Sequence, residues 1–359
     1  MTDVAPVIKY LGSKRLLVEH IVSLCTALRP QGGSVLDLFS GTSRVGHALK
    51  RAGFGVYAND HNSYAHTLAM CYIQAHAPEI ERDALSIIDQ LNAISPRDGA
   101  FTETYCRQSR YFTPENGARI EAMREHIETL DLSPELRAVV LTSLLEGADR
   151  VDSTTGVQMA YLKSWAPRAL RPIELRLPAI LPHPEGQPCR AFNLEAIDAA
   201  HGISADIAYL DPPYNQHSYL GNYHVWETLV RWDLPETYGV ACKRIDCRQR
   251  KSDFNSKPRI ERAMREVIDA VDARTLILSF NDEGYLSREQ IGEMLDAFGP
   301  VAIIDHDHPR YVGCRIGIHN QRGEMVGRVG RVRNTEHFFI AGEGAERFIE
   351  IQRPAAVAV

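Results

Sequence analysis

Short apolar runs alternate with amphipathic segments along most of this chain. The run SVLDLF at residues 34–39 predicts a buried strand. The segment at 44–53 predicts a helix, because Val45 and Leu49 recur on one face and Gly53 favours a stop. Further strands are predicted at 54–60, 189–194, 206–211, 275–281, 301–307 and 337–342, and further helices at 63–77 and 287–298. Strands that alternate with helices favour a mainly parallel sheet covered on both faces, so we predict an α/β fold.

The interval from residue 78 to residue 188 interrupts this alternation. Its periodicity predicts three helices, at 81–91, 114–130 and 133–149. Pro134 suits the first turn of the last of these helices. We therefore predict three parts for the chain: a main domain at 1–77 and 189–350, a helical insertion at 78–188, and a flexible tail at 351–359.

The 359 residues have the composition of an ordinary globular protein, with a formal net charge of −6. No run of about 18 apolar residues is present, so we predict no membrane span. The seven cysteines form no CxxC pair and show no Cys/His spacing typical of zinc, so we predict reduced thiols and no metal. The first residues lack a secretory pattern, and with the reduced thiols this predicts a cytoplasmic protein.

Positive charge is concentrated in two stretches. Residues 243–265 carry nine Lys or Arg against three acidic residues, a local charge of +6. Residues 306–333 carry six Arg against two acidic residues, a local charge of +4. Such patches favour contact with phosphates, although a solvated charged surface gives the same pattern. The candidate nucleic-acid contacts in the first stretch are Lys243, Arg244, Arg248, Arg250, Lys251 and Lys257.

The segment DPPY, Asp211 to Tyr214, directly follows an apolar run. An exocyclic amine on adenine is a poor nucleophile, because its lone pair is delocalised into the ring. The Asp211 carboxylate can accept one N–H and the Pro212 carbonyl the other, while Pro212 and Pro213 hold the backbone because their φ angles are fixed. Tyr214 offers a face for stacking the base, a contact worth about 1–3 kcal/mol. The segment predicts an amine positioned for attack on a sulfonium methyl; an incidental strand-ending turn is the alternative.

A glycine turn follows the first predicted strand, and acids stand at the ends of the first two strands. The turn GTSRVG begins at Gly41, and the acids are Asp37 and Asp60. The turn lacks the Gly-Lys-Ser/Thr ending of a P-loop and is not GxGxxG. An acid on the second strand can accept from ribose hydroxyls. Without a pyrophosphate grip, these features favour S-adenosylmethionine over a dinucleotide as the cofactor, although single glycine signals are weak.

In this order, the segments resemble an N6-adenine DNA methyltransferase of the Dam-type, α-ordered class. The matching segments are IKYLGSK (8–14), DLFSGT (37–42), NDHN (59–62), FNLEA (192–196), DPPY (211–214) and two C-terminal strands. The resemblance covers nearly the whole chain apart from the insertion. It implies a Rossmann-like, S-adenosylmethionine-dependent methyltransferase domain with a helical target-recognition insertion at 78–188.

The resemblance also implies roles for individual positions. The cofactor-binding residues would be Tyr10, Lys14, Asp37, Phe39, Gly41, Asp60, Asn193 and Asp211. Tyr10 would pack on the cofactor, Lys14 would lie near its carboxylate, and Asp60 would bind the ribose. Asp211, Pro212, Pro213 and Tyr214 would hold the target base. Ser43 stands where the family often has a third glycine, which leaves the details of the methionine pocket open.

The predicted substrate is an adenine extruded from double-stranded DNA, because its amine cannot be reached inside a duplex. The basic stretches would offset the cost of extrusion through phosphate contacts. Arg107, Arg110 and Tyr111 of the insertion can also face DNA, and Tyr219 and Tyr223 can pack around the base or in the core. The resemblance also allows a cognate restriction endonuclease as a partner.

Two other functions stay open from the sequence. The DPPY segment would serve an RNA adenine methyltransferase equally well. A nucleic-acid-binding module that keeps the fold without turnover is the other alternative, which the intact DPPY segment with Asp37 and Asp60 disfavours. Methylation of cytosine N4 is disfavoured, since those enzymes usually carry Ser where Asp211 stands.

Overall fold

The computed structural model describes residues 8–309, 318–319, 325–327 and 333–352. Its α-helices are α1 (Val18–Leu28), α2 (Arg44–Arg51), α3 (Ser63–Ala69), α4 (Ala77–Ala93), α5 (Ala100–Thr102), α6 (Pro114–Glu128), α7 (Pro134–Arg150), α8 (Ala196–Gly202), α9 (Tyr219–Asn222), α10 (His224–Arg231), α11 (Ile260–Ala270), α12 (Arg288–Leu295) and α13 (Glu346–Gln352). Its strands are β1 (Ser34–Asp37), β2 (Gly55–Asn59), β3 (Cys189–Phe192), β4 (Ser204–Leu210), β5 (Thr237–Tyr238), β6 (Lys243–Arg244), β7 (Asp272–Asn281), β8 (Val301–Pro309), β9 (Ile318–His319), β10 (Met325–Gly327) and β11 (Arg333–Gly342). Two π-helical turns, Met70–Gln74 and Glu103–Gln108, directly follow α3 and α5.

The chain divides into two compact units. The first unit combines Met1–Ile203 with His217–Lys251, and the second combines Ser204–Gln216 with Ser252–Val359. The predicted insertion at 78–188 therefore groups with the first unit. Its separate role in target recognition remains a prediction.

In the first unit, β1, β2 and β3 pair in parallel, in the order β3-β2-β1. Asp37 at the end of β1 lies opposite Ala58, and Asn59 at the end of β2 lies opposite Phe192. Each strand is followed by a helix, which confirms the α/β alternation predicted from the sequence. The register places the carboxyl ends of the three strands at one edge, where ligands bind in such sheets.

The helix α7 forms the centre of the helical part of this unit. Thr113 and Ser133 cap α6 and α7 by accepting hydrogen bonds from Asn116 N and Leu136 N, both at 3.3 Å. A proline follows each cap at the first helical position, where its missing N–H is not needed. The helix α7 then packs on α3, α4 and α6. These starts confirm the helices predicted from residues 114 and 133.

In the second unit, the strands follow the order β4-β7-β11-β8. The strand β4 pairs in parallel with β7, whereas β11 is antiparallel to both β7 and β8. The helix α12 begins with a capping box: Gln290 N donates to Ser287 Oγ at 3.2 Å, and Ser287 N donates to Gln290 Oε1 at 2.9 Å. The mixed α/β architecture with parallel pairing confirms the predicted fold class.

Two predictions fall wholly or largely outside the described residues: the flexible tail at 351–359 and the basic stretch at 306–333. Within the described ranges, no helix is both long and apolar enough to cross a membrane. The six cysteines in those ranges, which are Cys25, Cys71, Cys106, Cys189, Cys242 and Cys247, are free thiols.

Candidate active site

The carboxyl ends of β1, β2 and β3 are fastened together by one buried side chain, that of Asn59. Its Nδ2 lies 3.2 Å from both the Leu38 and the Leu194 carbonyl oxygens, and its Oδ1 accepts from Leu194 N at 3.1 Å. Asn59 is 1% exposed. A buried amide that is satisfied on both sides fixes its neighbours, because each lost bond would leave an unpaired polar group. The loops after the three strands are therefore held in one arrangement.

Three of the residues predicted to bind the cofactor meet at this edge. Asp60 Oδ2 accepts from Gly41 N at 3.1 Å, and Asp60 Oδ1 accepts from Asn62 N at 2.9 Å. Asn193 Nδ2 donates to the Asp60 carbonyl at 2.7 Å. Each carboxylate oxygen has two lone pairs, so Asp60 keeps acceptor capacity for a ligand hydroxyl. The structure thus brings Gly41, Asp60 and Asn193 together.

The aromatic ring of Tyr10 lies directly against the Gly41 turn. Gly41 has φ +50°, and a Cβ added there would lie 3.3 Å from the Tyr10 ring. The Tyr10 ring stacks on Tyr219 at 5.0 Å and on Tyr223 at 4.7 Å between centroids, with interplanar angles of 7° and 15°. Its hydroxyl lies 3.2 Å from the Tyr64 hydroxyl, and burial raises the pKa of Tyr10 well above its ordinary value. The four tyrosines thus form an aromatic cluster beside the glycine turn.

The remaining predicted residues of the first unit lie close by along the chain. Asp37 is buried at the end of β1, and a Cβ on Gly46 would lie 3.3 Å from its Oδ2, so α2 approaches the strand closely at a glycine. Phe39 is half-buried in the loop that follows. Lys14 is buried ahead of α1, and its carbonyl accepts from Leu17 N and Val18 N at 2.7 and 2.9 Å.

Two buried hydroxyls in the glycine turn bear on whether a ligand fits there. Ser40 Oγ and Ser43 Oγ are buried and form no hydrogen bond within the described part of the chain. Ser43 also has a positive φ of 57° at the residue before α2. Buried polar atoms are normally satisfied, so unsatisfied ones at a turn favour a ligand that completes their bonding. The donor set of hydroxyls, backbone N–H groups and carboxylates suits a nucleoside with an amino-acid tail.

The DPPY segment lies in the second unit, directly after β4. Pro212 is buried, whereas Asp211, Pro213 and Tyr214 are half-buried. The Tyr214 carbonyl accepts from Tyr285 N at 3.0 Å. The Tyr214 ring also packs on Phe280 of β7, with 5.7 Å between centroids and an interplanar angle of 61°.

The residue after the segment is fixed as well. The Asn215 carbonyl accepts from Asn255 Nδ2 at 2.7 Å. The backbone of the DPPY segment is therefore fixed at Tyr214 and at Asn215, in addition to the restriction that the two prolines impose on their own φ angles.

The cations predicted to contact nucleic acid divide into two groups. Five of the nine Lys and Arg of 243–265 pair with carboxylates: Arg244, Arg250, Arg259, Arg262 and Arg265. Lys243, Arg248, Lys251 and Lys257 form no ion pair with the residues that the structure describes. Asp246, Asp253 and Glu261 are already counted in the local charge of +6, so the three partners from outside this stretch, Asp233, Glu227 and Glu266, reduce it to +3.

For two arginines of the first group, the structure changes the prediction of a DNA contact that was made from charge alone. Arg244 is 1% exposed and binds Asp233 and Asp246, so its guanidinium has no surface with which to contact DNA. Arg250 pairs with the buried Glu227 at 3.1 Å and donates to the His61 carbonyl at 3.0 Å. Burial decides against Arg244 as a DNA contact, and Arg250 acts first as a link to the loop that carries Asp60.

Two long-range contacts at the site carry no signal in the sequence. Glu227 is fully buried and accepts from Tyr64 N at 3.1 Å, which fixes the start of α3. Tyr223 Oη accepts from Leu11 N at 2.5 Å. These contacts join segments 163 and 212 residues apart, and no local pattern reports such separations.

Comparison with known proteins gives one family and a consistent set of relatives. The profile of a family described as D12 class N6 adenine-specific DNA methyltransferase matches residues 10–292. The type II methyltransferase M.NlaIII of Neisseria lactamica is 31% identical over 313 residues, which are 84% of this chain and 92% of that protein. The type II methyltransferase M.CviAII of Paramecium bursaria Chlorella virus 1 is 27% identical over 318 residues, 85% of this chain and 92% of that protein. The modification methylase StsI of Streptococcus sanguinis is 29% identical over 312 residues, 83% of this chain, but the chain spans only 47% of its length.

Proposed function

This chain belongs to the D12 class N6 adenine-specific DNA methyltransferase family, and we propose that it transfers a methyl group from S-adenosylmethionine to the N6 amine of adenine in DNA. The family and its reaction are those predicted from the sequence. The family match favours DNA over RNA as the substrate, and an enzyme over an inert binding module. The observation that carries the proposal is the DPPY segment, which stands directly after β4 with its backbone fixed by Tyr285 and Asn255.

The tetrad Asp211–Tyr214 would bind the target base. The Asp211 carboxylate and the Pro212 carbonyl accept the two N–H bonds of the adenine amine, which draws the lone pair out of the ring plane. Tyr214 stacks on the base, and its contact with Phe280 limits the orientations of its ring. No strong base is required, because the amine becomes acidic only after it has been methylated. Most of the acceleration then comes from positioning and electrostatics.

The first unit would bind the methyl donor. Asp60 would accept from the ribose hydroxyls, and Asn193 would lie near the adenine of the cofactor. Asp37, Phe39 and Gly41 would contact its methionine portion, together with the unsatisfied hydroxyls of the glycine turn. Tyr10 would pack on the cofactor, and Lys14 would face its carboxylate. When bound, S-adenosylmethionine supplies a methyl group on a positively charged sulfur.

Double-stranded DNA would be held through its phosphates. Lys243, Arg248, Lys251 and Lys257 are the cations available for this role. Residues 78–188 would read the target sequence, whereas 1–77 and 189–350 would form the catalytic domain. Relatives named type II methyltransferases favour a cognate restriction endonuclease as a partner. We also propose a cytoplasmic location, where DNA is present and free thiols stay reduced.

Replacement of Asp211 tests this function. The wild-type chain, Asp211→Ala and the control Asp269→Ala, an exposed acid on α11, are expressed in a host without N6-methyladenine. We expect the wild type and the control to introduce N6-methyladenine at a defined sequence, detected by nucleoside mass spectrometry and genome mapping. Asp211→Ala should lose methyl transfer yet retain S-adenosylmethionine binding in calorimetry. Absence of methylated adenine with the wild type, or full activity of Asp211→Ala, would refute the proposal.

A further inference from the structure

A short ribbon of the first unit presents a strongly exposed apolar side chain. Strands β5 and β6 pair antiparallel, with Thr237 opposite Arg244 and Tyr238 opposite Lys243. Val240 lies in the turn between them and is 80% exposed, the highest value among the large apolar side chains of the described residues. Single exposed apolar residues are common on protein surfaces, so the significance of Val240 depends on its surroundings.

The turn that carries Val240 is firmly anchored. The Ala241 carbonyl lies 2.8 Å from the Tyr111 hydroxyl, which is itself buried. Cys242 is buried, and its amide donates to the Gly239 carbonyl at 3.0 Å. At the base of the ribbon, Arg244 is buried among carboxylates. Val240 therefore projects from a supported turn.

A second exposed apolar residue, Met159, belongs to a segment that contacts the same Tyr111 hydroxyl as the ribbon does. The Gln158 carbonyl lies 2.7 Å from Tyr111 Oη, and the next residue, Met159, is 48% exposed. Gln158 is fixed in turn, since its amide donates to the Asn222 carbonyl at 2.7 Å and its Oε1 accepts from Val225 N at 2.8 Å. The ribbon and the loop of Met159 thus share one anchor.

Two cation–aromatic pairs include residues close in sequence to Val240 and to Met159. The Arg248 guanidinium lies 3.9 Å from the centroid of the Tyr238 ring, and that of Arg110 lies 4.5 Å from the centroid of Trp165. Neither arginine pairs with a carboxylate in the part of the chain that the structure describes. A guanidinium held against a ring keeps outer N–H groups available for phosphate oxygens, and in Arg110 these exclude Nη1, which donates to the Lys163 carbonyl. Arginines beside half-buried aromatic rings and exposed apolar side chains favour nucleic acid as the partner.

We propose that Val240, together with Met159, is an apolar wedge that enters the base stack of duplex DNA when the target adenine leaves it. This inference rests on the proposed function. Arg110, Arg248 and Lys243 hold the phosphates on either side. Apolar side chains inserted between base steps are a general means of unstacking a duplex, and extrusion of a base costs a few kcal/mol that the enzyme must supply.

The test compares two duplexes that contain the methylated sequence found by genome mapping. In one the target adenine is paired, and in the other it faces an abasic site, so that the base is already unpaired. We expect Val240→Ala to lower kcat/KM on the paired duplex about tenfold, because part of the cost of extrusion is no longer offset, and to leave the abasic duplex within about twofold of wild type. Val240→Leu should retain activity on both duplexes. The matched control is Leu16→Ala, which truncates a 63% exposed leucine in the turn before α1 that has no proposed role in binding.

The outcomes separate this inference from the proposed function. Val240→Ala activity equal to wild type on the paired duplex would refute the wedge, and so would an equal loss on both duplexes. A wild-type enzyme that methylates neither duplex would refute the proposed function, and the wedge with it.

Discussion

Arg244 was predicted from local charge to contact DNA, but it is buried and bound to the carboxylates of Asp233 and Asp246. Its Nη1 and Nη2 donate to the two carboxylate oxygens of Asp233 at 2.6 and 2.7 Å, and its Nε and Nη2 donate to Asp246 at 3.1 and 3.0 Å. Its Nη1 also lies 3.2 Å from Thr228 Oγ1. These carboxylates outweigh burial and raise the pKa of the guanidinium further above its ordinary value. Arg244 is therefore predicted to stabilise the β5–β6 ribbon and not to bind DNA.

The change is Arg244→Met, which keeps the length of the side chain and removes its charge. Removal of one partner from a buried ion pair costs about 3–5 kcal/mol, because the other charge is left uncompensated. The side chains of Asp233 and Asp246 are 31% and 17% exposed, so water can partly solvate them. We therefore expect the free energy of unfolding to fall by about 2–4 kcal/mol, somewhat less than for a fully buried pair. At about 2 °C per kcal/mol for a large chain, Tm should fall by about 4–8 °C.

Two measurements separate this role from a DNA contact. Thermal unfolding gives Tm, and the dependence of DNA affinity on salt gives the number of phosphates neutralised, with a slope of about 0.9 for each. Arg244→Met should lower Tm and leave the salt slope unchanged. The control Lys251→Met alters an exposed cation with no ion pair in the described ranges, and should leave Tm unchanged and reduce the slope by about 0.9. An Arg244→Met variant with unchanged Tm and a slope reduced by about one would refute the reasoning.

Two further predictions concern the core and the glycine turn. Burial raises the pKa of Glu146 from 4.5 to about 7, so the folded chain holds a proton that the unfolded chain releases, and stability should fall as pH rises from about 4.5 to about 7. The glutamine of Glu146→Gln does not titrate and can still accept a hydrogen bond from Tyr72. In denaturant unfolding, the free energy of unfolding of this variant should match that of wild type near pH 4 and exceed it by up to about 3 kcal/mol at pH 8. Equal free energies at pH 8 would contradict the raised pKa of Glu146. Gly41→Ala adds a Cβ at φ +50°, 3.3 Å from the Tyr10 ring. The resulting strain of about 1–2 kcal/mol should raise the Kd of S-adenosylmethionine about 5- to 30-fold, measured by calorimetry. An unchanged Kd would show that the turn does not belong to the binding site.

The sequence predicts well those features that depend on neighbouring residues. The helices that begin at Pro114 and Pro134 were predicted from their apolar periodicity, and Pro134 also marked the first turn of the second helix, because such signals act over a few turns. The meeting of Gly41 with Asp60 follows from two adjacent parallel strands whose carboxyl ends share an edge. Resemblance to a family then assigned roles that these local patterns alone leave open.

Features that depend on distant partners could not be predicted in this way. A charge count over a window of sequence treats every cation as exposed, whereas Arg244 and Arg250 each find a carboxylate that the fold brings to them. Glu227 and Tyr64 carry no local pattern either, since their contact spans 163 residues. Only the packing of α10 against α3 creates it.

The segment from α9 to α10 shows why these distant contacts matter for function. Tyr219 and Tyr223 each stack on Tyr10 beside the glycine turn, and Glu227 connects the start of α3 to Arg250 of the basic segment. Through Gln158, the same segment also holds the loop that carries Met159. One short stretch of chain thus supports the loops proposed to bind the donor, the part of the basic segment in the first unit, and the proposed wedge. This stretch closely follows the DPPY segment in sequence. The residues proposed to hold the base and those that support the proposed donor site are therefore close neighbours along the chain.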